Sequence, residues 1–199
     1  MRIIILAEGR TEKAFKAKLS EFIRPRVQEM PRIDFRVYNG RIPKGDKLKR
    51  VVNNYLQEAD HVIALTDVYT GTNDFTDAAD AKAKMRQWAQ ADNRKFHPHA
   101  AQHDFEAWLI PYWPAIQKLA HHTKGAPQGL PETINHGKPP SYHINELFEA
   151  GKCRKSYVKQ RDGMAILRDA DLMTAINQCP ELKSFINTIL TICGADTIP

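Results

Sequence analysis

Three acidic residues stand where apolar runs end. Glu8 follows "RIIILA", Asp67 closes "HVIALTD", and Glu106 sits in "HDFEAWLI", just past a further strand candidate. Carboxylates gathered at strand ends make an oxygen-only donor set, which suits Mg²⁺ or Mn²⁺, hard ions that keep water ligands and bridge protein to phosphate. Packed together they repel unless a cation is bound, so the grouping itself implies a metal. Each acid also has a plainer use. Glu8 and Glu12 can favour the positive end of the helix that follows, Asp67 can form a turn or cap, and Glu106 can be a solvated helix position. The conjunction of the three carries the argument.

Other chemistries lack their residues. No HExxH and no His/Cys set at ligand spacing points to zinc. Neither GxxxxGK[ST] nor GxGxxG occurs, which excludes a phosphate-loop ATPase, and no GxSxG elbow presents a serine nucleophile. Cys153, Cys179 and Cys193 form no CxxC pair and read as buried or incidental thiols. "GKCRKSYVKQR", residues 151–161, sets five basic residues around Tyr157. Lys155, Lys159 and Arg161 could hold phosphates there while the Tyr157 ring stacks on a base; a solvated charged segment is the alternative.

The elements that must position these groups follow from periodicity. "RIIILA" is a continuous β-branched run, the pattern of a strand buried on both faces. From Thr11, an expected N-cap, residues 12–23 carry Phe15, Leu19, Phe22 and Ile23 at helical spacing, and Pro25 stops the helix. The unit recurs, with strands expected at 33–39, 61–67 and 96–102 and helices at 45–59 and 75–90. This alternation implies an α/β fold with a mostly parallel sheet and right-handed crossovers. In such a sheet ligands bind beyond the carboxyl ends of the strands, where strand order reverses. If the first and third strands are neighbours, in a 2-1-3-4 order, Glu8 and Asp67 converge, and Glu106 can face the same crevice.

Residues 121–143 are rich in Pro and Gly and have no apolar period. A loop of about 20 residues in a compact protein is usually functional or disordered. Short helices are expected near 143–150, 162–177 and 180–193. The expected organisation is an α/β domain over 1–111 with a helical C-terminal region, 112–199, packed on it.

The 199 residues are 42% hydrophobic and 26% charged, a composition neither disordered nor membranous. No apolar run approaches the roughly 18 residues of a spanning helix, and the N-terminus lacks signal-peptide order, so a cytoplasmic protein without membrane contact is expected. The net charge of +6 leans toward an anionic partner.

"AEGRTEKAF", "ALTDVY", "HDFEAWL", "PETIN", "YVK" and "CPELKSFI" occur in the order found in the DUF4276 family, and the set resembles that family over nearly the whole chain. The first three also resemble Toprim-like nucleases more widely, including overcoming-lysogenization-defect nucleases. The resemblance implies a Toprim-like, Rossmann-like sheet whose strand ends hold Mg²⁺ or Mn²⁺. Glu8 matches the Toprim glutamate, Asp67 the first aspartate of the D-x-D element, and Glu106 the acid of the FExWL stretch. Tyr69 stands at the second D-x-D position, so Asp74, Asp77 or Asp104 must substitute if that ligand is present. Glu12 either joins the metal shell or caps the helix, with a place just behind the ligands favoured. The implied activity is metal-dependent hydrolysis of DNA or RNA, in an anti-phage or mobile-element defence pair with an ATPase. The alternative is a non-catalytic Toprim-like module that binds nucleic acid or protein.

Overall fold

The computed structural model describes the backbone of all residues except 39, 69–73, 93, 135–137 and 152–155, and the side chains of those residues apart from 10 and 12–14. Four strands, β1 (Arg2–Ala7), β2 (Arg32–Val37), β3 (His61–Asp67) and β4 (Phe96–Ala101), form one sheet in the order β2-β1-β3-β4. All three pairings are parallel. Helices α1 (Arg10–Ile23), α2 (Gly45–Tyr55) and α3 (Ala78–Ala89) connect the strands. This is the expected alternation and strand order.

Alternation along the buried strands sends successive side chains to opposite faces. Ile3, Ile5, Ile63 and Leu65 pack on one side with Phe15, Leu19 and Ile23 of α1. Ile4, Leu6, Val62 and Ala64 pack on the other with Leu48 and Val52 of α2 and Met85 and Ala89 of α3. The first cluster continues into later helices, α4 (Trp113–Ala120), α5 (Pro140–Ala150), α6 (Lys159–Leu167), α7 (Leu172–Ile176) and α8 (Pro180–Ile192), with Phe185, Ile186 and Ile189 fully buried. No helix among the described residues is long and apolar enough to cross a membrane.

Several boundaries differ from the sequence reading, each for a local reason. Helix α1 begins at Arg10, so Thr11 lies inside it rather than capping it. The expected helix over 162–177 is two helices, because Asp171 accepts a hydrogen bond from the Met173 amide at 3.0 Å and starts α7 anew. Helix α6 starts three residues early. The Asp162 carboxylate reaches back to the Val158 amide at 2.7 Å, satisfying a donor at the helix entrance. The Pro- and Gly-rich stretch holds a 3-10 turn at Pro131–Thr133, and its Glu132 accepts from Trp108 Nε1 at 2.8 Å and from the Glu181 amide at 3.0 Å. That carboxylate fastens the stretch to the first turn of α8.

Gly151 closes α5 against the end of α4. A Cβ there would lie 1.8 Å from the Ala120 carbonyl oxygen. Gly151→Ala therefore forces two helices apart and should lower unfolding free energy by about 3 kcal/mol. A urea midpoint within error of the wild type would show that the junction yields without cost.

Candidate active site

The parallel register brings the four strand ends to one rim. Ala7 lies opposite Val37 and Leu65, and Asp67 opposite Ala101. Glu8 thus leaves β1 at the rim where Asp67 ends β3, at the reversal of strand order. Beyond β4 the chain turns at His103, with φ of 69°, into a 3-10 helix over Phe105–Tyr112. Phe105 and Trp108 anchor this helix, with ring centroids 5.2 Å apart, and Phe105 lies 5.6 Å from Phe15 of α1. Glu106, between them, is 0% exposed.

Glu8, Gly9, Thr11, Gly40, Asp67, Phe105, Glu106 and Lys159 line a cavity of about 180 Å³. Larger clefts lie elsewhere, but this one gathers the strand-end acids. Thr66 fixes Glu8 by donating its hydroxyl to Oε1. The Gly40 amide donates to the Glu8 carbonyl at 2.8 Å, which brings the turn after β2 to the cavity with φ of 146°. Lys159, in the first turn of α6, places Nζ 2.9 Å from Glu106 Oε2 while its side chain stays 54% exposed. Burial opposes the lysine charge. Glu106, and more weakly Asp67 and Asp104, outweigh that opposition and hold its pKa above the usual lysine range.

The close approach of α6 to α1 depends on Gly163, where a Cβ would meet Thr11 Cγ2 at 3.0 Å. Thr11 and Tyr157 both direct hydroxyls at Glu106 Oε1, each at 3.5 Å, the outer limit for such a bond. Tyr157 sets its ring against Phe148, centroids 5.6 Å apart and inclined at 60°. Burial, then Glu106, pushes the tyrosine pKa up and keeps it a neutral donor. Arg161 is exposed and pairs with Asp162 at 2.7 Å.

Of the acids able to stand in for the second D-x-D aspartate, Asp74 binds Arg41 at 3.0 Å and also Lys44. Asp77 caps α3 by accepting from the Asp80 amide. Asp104 remains beside Glu106. Its Oδ2 accepts from the Ser141 amide at 3.1 Å, while Oδ1 is buried without a hydrogen-bond partner. The Glu12 side chain and all of Lys155 and Tyr69 lie outside the described residues. Among the described residues, no three His, Cys, Asp or Glu side chains are disposed to hold a metal ion.

Burial, then the Glu106 charge, pushes the Asp104 carboxyl up to about 7. A carboxyl that binds its proton more tightly folded than unfolded makes stability fall as pH rises. The fall runs from the ordinary carboxyl range near about 4 up to the folded value, and is flat above it. Asp104→Asn keeps an acceptor for Ser141 and removes the titration. In chelator, the variant should gain up to about 4 kcal/mol over the wild type at pH 8 and nothing at pH 4. His99, buried and neutral, titrates in both proteins and cancels in the difference. Parallel stability curves would remove Asp104 as the titrating group.

Residues 7–190 match the model of the family described as Domain of unknown function (DUF4276). No curated protein matches the sequence. Among solved structures, the chain is similar to the C-terminal region of the Burkholderia pseudomallei OLD protein, at 14% identity over 97% of this chain and 96% of that one, with a TM-score of 0.55. It is also similar to the C-terminal region of the Xanthomonas campestris pv. campestris OLD protein, at 14% identity over 96% and 93% of the two chains, with a TM-score of 0.48. At this identity the first likeness speaks for fold alone, and the fold is Toprim-like: a parallel sheet flanked by helices, with a helical C-terminal region. Since the match runs from the end of β1 into α8 and takes in every wall of the carboxylate cavity, the chain belongs to the DUF4276 family.

Proposed function

We propose that this protein is a divalent-metal-dependent nuclease that hydrolyses phosphodiester bonds in DNA or RNA. The observation that carries the reading is the meeting of Glu8, Asp67, Glu106 and Lys159, from four separate segments, around one cavity at the carboxyl rim. The donors fit Mg²⁺ or Mn²⁺. They are carboxylate oxygens, the Lys159 ammonium faces several of them, and Asp104 Oδ1 is a buried acceptor without a hydrogen-bond partner.

Glu8, Asp67 and Glu106 would hold the ion, with Asp104 and Glu12 as neighbouring acids. When bound, the ion supplies Lewis-acid polarisation of the phosphoryl oxygen and lowers the pKa of a bound water. The protein's own part is to orient and to compensate charge. Thr66 holds the Glu8 carboxylate in place, so that it either ligates or takes the proton of the attacking water. Lys159, kept charged, can donate from Nζ to a non-bridging oxygen as negative charge develops there. The Phe105 and Trp108 packing keeps Glu106 at a fixed depth. Lys155 and Arg161 would touch phosphates on the flank. The chain shows no phosphate loop, in keeping with a role as the nuclease half of a defence pair whose other half is an ATPase, in the cytoplasm.

A second reading has its own support. No three acids among the described residues close on one point, and Tyr69 occupies a ligand position of the Toprim pattern. A non-catalytic module that binds nucleic acid would show both features. The two readings part in one assay: the protein with millimolar Mn²⁺ on single- and double-stranded DNA and on RNA, with and without the ATPase. Cleavage abolished by chelator supports the nuclease. Salt-dependent binding of the same substrates without cleavage in any arm supports the module.

A further inference from the structure

His61 opens β3 and His97 is the second residue of β4, on adjacent parallel strands with His97 opposite Ile63. The two-residue period of a strand puts both histidines on the same face. His61 Nδ1 lies 3.3 Å from His97 Nε2, with ring centroids 5.4 Å apart and the rings inclined at 41°. Two imidazole nitrogens at about 2.0 to 2.1 Å from one tetrahedral ion stand about 3.3 to 3.4 Å apart. The separation is therefore already that of a chelating pair. Both histidines are half-buried.

Two further features leave the His97 Nε2 lone pair available for ligation. Burial, then the neighbouring His61, lowers the His97 pKa to about 4, so that ring is neutral at pH 7 and keeps a nitrogen lone pair. The Arg94 backbone accepts a hydrogen bond from the His97 ring. With Nε2 turned to His61, the ring proton belongs on Nδ1, the arrangement that orients most metal-binding histidines.

We propose that His61 and His97 form an accessory site for a borderline divalent ion, Zn²⁺, Ni²⁺ or Cu²⁺, which clips β3 to β4 at the amino end of the sheet. Imidazole prefers such ions to Mg²⁺ or Mn²⁺. The site lies six residues along β3 from Asp67, about 20 Å from the carboxylate rim at strand rise. It neither shares residues with that rim nor rests on the nuclease reading. Among the described residues no third His, Cys, Asp or Glu completes the set, so water fills the remaining positions and the ion exchanges readily.

The experiment uses tag-free full chain stripped with chelator and then titrated with Ni²⁺. One ion should bind with the pair intact. At about a hundredfold excess over the dissociation constant, the melting midpoint should rise by about 5 °C. His61→Gln and His97→Gln should each weaken Ni²⁺ binding at least about tenfold, the loss of one ligand from a two-ligand chelate, and leave any Mn²⁺ response unchanged. Cu²⁺ added to the wild type should show hyperfine coupling to two imidazole nitrogens. His61→Gln, at the strand's first residue, carries the test if His97→Gln fails to fold. The chain has 8 histidines, so Ni²⁺ binding that survives undiminished in His61→Gln resides elsewhere and overturns the proposal. A Cu²⁺ spectrum without two nitrogen couplings overturns it as well.

Discussion

Glu8→Gln should lower Mn²⁺-dependent cleavage by at least about 10³-fold, the scale expected when a group serving the transition-state charge is removed. The substitution keeps the size of the side chain and an acceptor for Thr66. The fold should therefore persist, and the loss should fall on turnover rather than on substrate binding. Asp67→Asn should act through the same cavity. In the wild type, millimolar Mn²⁺ should raise the melting midpoint, because an ion that binds only the folded chain stabilises it. Asp67→Asn should shrink that rise while leaving the metal-free protein as stable or slightly more so, since one of the mutually repelling carboxylates is gone. An unmoved wild-type midpoint would count against the metal site, and a Glu8→Gln variant that cuts as well as the wild type would remove Glu8 from the chemistry.

Lys159→Met should separate the two roles of the ammonium. Glu106 is fully buried, and its partner lysine is half in water. Breaking a buried pair costs about 3 to 5 kcal/mol when both charges are desolvated, and the exposure of Lys159 reduces this to about 2 kcal/mol at pH 8. The sign of the pH dependence follows from what is left behind. Asp104 without the nearby ammonium binds its proton more tightly in the folded state, so the deficit should grow as pH rises above the carboxyl range and vanish at acid pH. Mn²⁺ should restore the variant by more degrees than it adds to the wild type, because the ion then meets carboxylates with no competing cation. Cleavage should still be lost, while Lys159→Arg should keep the stability. Equal stability of Lys159→Met and wild type across pH would show that the ammonium does not compensate the cluster.

Strands β1 and β3 were legible residue for residue because a buried parallel strand announces itself as an unbroken β-branched run. The 2-1-3-4 strand order is supposed as the common one for such a sheet, and it is the order observed. Less legible were features fixed by single long-range contacts. Nothing in "ALTD" marks the Thr66 hydroxyl as the holder of a glutamate 58 residues earlier. Glu132 reads as a loop acid, although the Trp108 indole and the α8 amides bury it. Lys159 sits in a basic stretch and reads as a phosphate contact. Its place against Glu106 depends on α6 starting early, and the acid at position 162 that permits this was the available signal. Tyr157 similarly reads as a stacking ring, and its contact with Phe148, nine residues earlier, has no local signal.

Where a divalent ion binds distinguishes a metal-dependent nuclease from a binding module most directly. Crystals of the protein equilibrated with millimolar Mn²⁺ and measured at a wavelength where manganese scatters anomalously report this without any assumption about substrate or partner. The carboxylate nuclease reading predicts a strong peak inside the cavity lined by Glu8, Asp67 and Glu106, with Lys159 Nζ withdrawn from Glu106. A saturating soak that leaves that cavity without a peak, with the Lys159–Glu106 pair intact, would contradict it.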